Sequence, residues 1–133
     1  MKDIKFSGSD IIEKDLEKLN DVINSGWLAH GEVTNKFEEQ FSKYTGVESS
    51  VAVSSCTAGL FLLSKLAGFK ENDVILVPAL THVASAHAVK FTGAKIRFVD
   101  IDLNTGNISI ESLKKNVDDS VKGMVLVHLL VEE

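Results

Sequence analysis

One cysteine, Cys56, stands in the 133 residues, so no internal disulfide can form and no CxxC zinc pattern exists. No apolar run approaches the ~20 residues a bilayer span needs. The opening MKDIKFSGSD has no apolar signal core. Both standard nucleotide loops are missing: there is no GxxxxGK(S/T), and no GxGxxG follows a strand-like run. A net charge of −5 argues against non-specific binding to nucleic acid or an anionic membrane, although a locally positive pocket stays open. These absences lead us to expect a soluble cytoplasmic protein with neither nucleic-acid nor membrane partners.

What remains is ordinary globular material, with 44% hydrophobic and 25% charged residues, enough for one domain with a real core. Residues 10–25 carry a helical stripe of Ile11, Ile12, Leu16, Leu19, Val22 and Ile23. Asp10 and Glu13 have capping-box spacing, and Ser25-Gly26 supplies a stop. A second amphipathic segment places Val33, Phe37, Phe41 and Tyr44 on one face and ends at Gly46. Between the two lies a loop with Gly26, Gly31 and the only tryptophan, Trp27.

From residue 50 the pattern changes. Strand-like runs at 51–53, 74–77, 96–99 and 124–131 alternate with helix-like stretches at 58–67, 82–91 and 110–117. Gly68 and Gly93 sit where two of these helices should end, and Ser109 is placed to cap the third. Strands apolar throughout and separated by helices predict an α/β fold with a mostly parallel sheet and helices on both faces. We divide the chain into an N-terminal helical segment, 1–45, and an α/β part, 46–133.

The junction VAVSSCTAGLFLL, residues 51–63, allows two readings. A helix N-terminus offers unpaired N–H groups and a positive dipole end, which suit a phosphate. Ser54, Ser55, Cys56 and Thr57 add hydroxyls without blocking side chains. The same residues would also serve as a plain Ser/Thr cap. His82 follows Pro78 at the start of the next helix, where ligands gather beyond the carboxyl ends of parallel strands. His82 and His87 are five residues apart, on different helix faces, so a metal site is not expected. Asp100 and Asp102 precede the turn signal Asn104, Thr105, Gly106, Asn107 and read as turn acids rather than catalysts. His128 reads as a core or strand-end histidine.

The motifs then combine. The Gly26-Trp27-Leu28 loop, the Phe37-Glu38 pair, SSCTA at 54–58 and DVI at 73–75 with Val77-Pro78 begin the series. THVA at 81–84, TGAK at 92–95 and FVDID at 98–102 complete it. In this order and spacing, from about residue 8 onward, they resemble the N-terminal part of the DegT–StrS family of pyridoxal-phosphate-dependent sugar aminotransferases. The resemblance implies part of a fold type I large domain and pyridoxal 5′-phosphate as cofactor. It also implies transfer of an amino group from an amino-acid donor to a nucleotide-linked keto-sugar. By it, the backbone and hydroxyl groups of Cys56, Thr57 and Ala58 cradle the cofactor phosphate, His82 stacks on the pyridine ring, and residues 27–31 lie near the substrate. Homo-oligomers are expected.

The family chain is longer. Its Schiff-base lysine, the aspartate at the pyridine nitrogen, three of its seven strands and its small domain have no counterpart in these residues. We therefore expect an N-terminal fragment, inactive alone. A non-catalytic phosphate-ligand or assembly module is the alternative, and an α/β domain without a ligand the third reading.

Overall fold

The computed structural model describes residues 9–129. The chain forms two compact units, one ending at Ala52 and the other starting at Val53.

The first unit is helical. Helix α1 spans Glu13–Asn24 and α2 spans Glu32–Thr45. The expected box at Asp10 and Glu13 does not form. The helix begins at Glu13, so Ile12 is the cap residue, and its N–H donates to Asp15 Oδ2 at 3.1 Å. A carboxylate reaching back from the third helical position satisfies this otherwise free donor. Ser25 closes the helix and Gly26 follows with φ 70°. Gly46, with φ 75°, closes α2 and returns its N–H to the Ser42 carbonyl at 2.9 Å. That left-handed conformation is one L side chains resist.

The second unit alternates helix and strand: α3 Cys56–Leu66, β1 Val74–Pro78, α4 Val83–Lys90, β2 Lys95–Val99, α5 Ile110–Asn116 and β3 Val121–Met124. The sheet order is β2-β1-β3, and both pairings are parallel, as expected. Going from β1 to β2 the chain steps one way along the sheet, and from β2 to β3 it steps back past β1. With right-handed crossovers these opposite steps put α4 and α5 on opposite faces. The central strand is therefore covered on both sides, and Ile75, Leu76, Val77 and Pro78 are all buried. On one face Ile75 and Val77 meet Val89 and Ala94, with Phe69, Ala86, Ile96 and Val125 packed around them.

Three further expectations need correction. Residues 51–53 form no strand. An apolar run suits a strand, but a strand also needs a partner ladder, and none lies beside these residues among the described ones. The last strand is 121–124 rather than 124–131: β1 pairs with Val121, Gly123 and Met124, and beyond Met124 only the Val125 N–H still reaches Leu76 O, at 2.9 Å. Residues 130–131 of that run lie outside the described residues. His128 is exposed and outside any strand, not a core residue. No helix among the described residues is long and apolar enough to cross a membrane.

Candidate cofactor-phosphate site

Ser55 stands in extended backbone just before α3, and its Oγ accepts the Ala58 N–H at 3.1 Å. The Ser55 carbonyl takes the Gly59 N–H at 3.1 Å, the first regular helical bond. The N–H groups of Cys56 and Thr57 have no hydrogen-bond partner among the described residues. One hydroxyl thus caps one amide and leaves the other two unpaired among the described residues, so a cap does not exclude an anion at this turn. No acidic residue occupies the first turn of α3, and Lys65 stands in its last turn. Both choices match the helix dipole and leave the N-terminal end positive. The Cys56 thiol is free and exposed.

His82 caps α4. Its Nδ1 accepts the Ala84 N–H at 3.1 Å, so Nδ1 is the acceptor and the proton sits on Nε2. The ring is exposed. Beside it, Thr81 Oγ1 and the buried Ser85 Oγ lie 2.9 Å apart, fixing the turn that leaves β1.

Topology relates the two helix starts. α4 begins beyond the carboxyl end of β1 and returns to the amino end of β2. α3 returns the same way, through the segment after Gly68 that leads into β1. A β-carbon on Gly93, in the turn between α4 and β2, would lie 3.6 Å from Glu71 N. The two returning turns are thus neighbours at the amino edge. Both helices therefore begin toward the carboxyl edge, where open parallel sheets collect ligands. α3 and α4 pack on each other, with Phe61 and Phe91 edge to face at 6.1 Å. No hydrogen bond joins His82 to residues 56–58 among the described residues.

The other candidates separate from this edge or have local work. Asp102 Oδ1 accepts the Asn104 and Thr105 N–H groups at 2.8 and 3.2 Å, a turn-forming role as expected. The Asp100 N–H bonds to Ser112 Oγ at 3.1 Å. His87 packs its ring 5.7 Å from that of Phe91. Among the described residues no three His, Cys, Asp or Glu side chains converge on a common point. In the helical unit Trp27 Nε1 donates to His30 O at 3.0 Å, and the ring lies over Gly31. A β-carbon there would be 2.6 Å from Nε1, so any larger residue requires the exposed indole to shift. Trp27, Leu28 and Val33 help line a cavity of about 540 Å³. Sequence reasoning missed the role of Glu38, whose carboxylate binds the Ala52 N–H at 2.7 Å; no periodicity marks a contact across fourteen residues.

With this geometry in place, comparison with known proteins is direct. The family model described as the DegT/DnrJ/EryC1/StrS aminotransferase family matches residues 9–131. The chain belongs to that family. The Bacillus subtilis spore coat polysaccharide biosynthesis protein SpsC is 36% identical over 116 residues, which are 87% of this chain and 30% of that protein. The putative sugar aminotransferase Spr1654 of Streptococcus pneumoniae, solved in its PMP form, superposes with a TM-score of 0.87 at 31% identity. That match covers 95% of this chain and 32% of Spr1654. A GDP-4-keto-6-deoxymannose-3-dehydratase with a trapped PLP–glutamate geminal diamine gives 0.83 at 32% identity, over 92% and 33% of the two chains. The chain thus spans about a third of the length of the relatives it matches. The family is one of pyridoxal-phosphate enzymes, and the α/β fold is theirs.

Proposed function

We propose that this chain supplies the phosphate cradle and the ring-stacking residue of a pyridoxal-phosphate-dependent enzyme acting on a nucleotide-linked keto-sugar, with an amino acid as amino donor. The observation that carries the reading is the start of α3, where Ser55 caps one amide and the N–H groups of Cys56 and Thr57 remain free for an anion. The donor set fits a phosphate dianion: two backbone N–H groups, a hydroxyl at Thr57, no carboxylate in the first turn and a small side chain at Ala58. Ala58 contributes room rather than a donor, since its N–H is held by Ser55. His82 would lay its imidazole on the cofactor ring. When bound, pyridoxal phosphate supplies an electron sink for exchange of the amino group.

Residues 1–133 alone are expected to bind and not to turn over, because no lysine here matches the family position that holds the cofactor covalently. Homo-oligomer formation belongs to the same reading. It is supported by the apolar stripe of Ile11 and Ile12 before α1 and Leu16, Leu19 and Ile23 within it, all more than half exposed, and sedimentation tests it. The test of the site is titration with pyridoxal phosphate and with inorganic phosphate, followed by absorbance and calorimetry. Saturable binding of both, weakened in Thr57→Ala, is the expected result. Absence of binding by wild type would leave the start of α3 as a helix cap only.

A further inference from the structure

Ser85 lies on the buried face of α4 with Ala84, Ala88 and Val89, and is only 6% exposed. Burying a hydroxyl costs free energy unless it is hydrogen-bonded, and its partner is Thr81 Oγ1, 2.9 Å away. Other helix hydroxyls in this chain turn back to the carbonyl four residues earlier: Ser42 to Glu38, Thr45 to Phe41 and Ser64 to Leu60. Ser85 instead meets a side chain outside the helix, on the residue just before His82. Its N–H donates to the His82 carbonyl at 3.0 Å.

For α4 alone, alanine at this position would serve better, having the higher helix propensity and no hydroxyl to bury. What the serine hydroxyl adds is a hold on the chain that enters His82. Leaving β1, the backbone is tied to β2 at Ala79, whose N–H reaches Val99 O at 2.9 Å. Leu80 and Thr81 then form no backbone hydrogen bond among the described residues. The Thr81 hydroxyl is therefore the one polar anchor on that stretch, and it fastens to a residue fixed in the core. His82 itself is exposed, and its ring makes one hydrogen bond, from the Ala84 N–H to Nδ1 at 3.1 Å. Where the ring lies thus depends on the backbone at 81–82. From this we infer that Thr81 and Ser85 are positioning residues for His82: their hydroxyl pair sets the imidazole in place to stack on the cofactor ring. The inference rests on the proposed reading of His82. It assigns neither hydroxyl a contact with the cofactor.

The test measures three properties of the full chain: the thermal midpoint, affinity for inorganic phosphate, and affinity for pyridoxamine phosphate, which cannot form an imine with surface lysines. Thr81→Val keeps the side-chain shape and leaves the Ser85 hydroxyl buried without a partner, so the midpoint should fall. Its affinity for pyridoxamine phosphate should fall about threefold to tenfold, the worth of an aromatic contact, with inorganic phosphate held within about twofold. Adding Ser85→Ala removes both hydroxyls and strands neither, so the midpoint should recover while the ratio of the two affinities stays low. A pair that only stabilised the fold would not separate the two readouts. Thr81→Ser keeps the hydroxyl and should restore the ratio. If Thr81→Val does not fold, the double variant carries the test. A wild-type affinity ratio in the double variant would overturn the inference alone. A ratio that His82→Asn fails to lower would overturn the reading of His82 and this inference with it.

Discussion

A β-carbon on Gly123 would lie 2.7 Å from Cζ of Phe69 and 3.0 Å from its Cε1. Phe69 packs on the core cluster of Ile75, Val77, Val89 and Ala94, and Gly123 sits in β3 opposite Ile75. The strand has a bulge just before it, between the pairs made by Val74 and Ile75. Gly123→Ala should therefore destabilise the α/β unit by about 1–3 kcal/mol, the usual cost of overpacking. Combining it with Phe69→Leu should cost less than the sum of the two changes, because the smaller side chain vacates the contact. Urea unfolding of the four proteins measures this. A Gly123→Ala protein as stable as wild type would show that the ring moves aside freely.

The start of α3 separates folding from binding. Ser55→Ala removes the cap and should lower stability by about 1 kcal/mol. It frees the Ala58 N–H, so phosphate affinity should hold or rise. Thr57→Ala touches no cap bond, so stability should change little. Its phosphate affinity should fall by about 1–2 kcal/mol, as expected for a hydrogen bond to a charged group. Parallel melting curves and phosphate titrations of the two variants provide the check. The same pattern of loss in both would mean that cap and cradle are not separable.

Arg97 and Asp118 give the acid limb of stability a specific contributor. Arg97 Nη1 donates to Asp118 Oδ2 at 2.7 Å and to the Asn116 carbonyl at 2.7 Å, tying β2 to the turn between α5 and β3. The Ser120 hydroxyl, then Arg97, then the Ser120 N–H hold the Asp118 carboxyl down from 3.8 to about 2. A carboxyl depressed on folding contributes stability that is complete above its unfolded value and lost as pH falls through its folded value. The window is therefore pH 4 to 2. Asp118→Asn should be less stable than wild type at pH 5, and the gap should close by pH 2. Because Asp118 is exposed, the gap should be small and should shrink with added salt. Chemical denaturation across that range settles it; a gap independent of pH would assign the effect to geometry instead of charge.

Several features of this architecture were legible because they depend on short-range chemistry. Gly46, Gly68 and Gly93 stop helices in left-handed backbone, and Ser109 accepts the Ser112 N–H at the start of α5. The unbroken apolarity of 74–77 announces a strand buried on both faces. Pairing is not local, and there the reading failed. Residues 51–53 look like 74–77 but have no ladder beside them among the described residues. The run from Gly123 onward is apolar past Met124, yet its pairing with β1 stops at Leu76, two residues before β1 ends. The candidate site residues were legible as types at helix starts, whereas which of Ser55, Cys56 and Thr57 caps the helix required the hydrogen bonds. Glu38 was visible only as half of a Phe-Glu pair.

On the proposed reading His82 has two separable tasks, and two substitutions divide them. Its Nδ1 caps α4 through the Ala84 N–H, and its exposed ring is free to stack. Asparagine is a good helix cap but presents only a small amide plane. His82→Asn should therefore keep the stability of wild type, bind inorganic phosphate unchanged and bind pyridoxal phosphate several-fold more weakly. Phenylalanine has a larger flat ring and no acceptor. His82→Phe should lose about 1 kcal/mol of stability with the cap while keeping or improving affinity for pyridoxal phosphate, since an aromatic contact does not need the nitrogen. The ratio of the two ligand affinities is the decisive quantity, because it cancels any effect on the phosphate cradle itself. A ratio that stays constant across wild type, His82→Asn and His82→Phe would remove His82 from the cofactor site and leave it as the cap of α4.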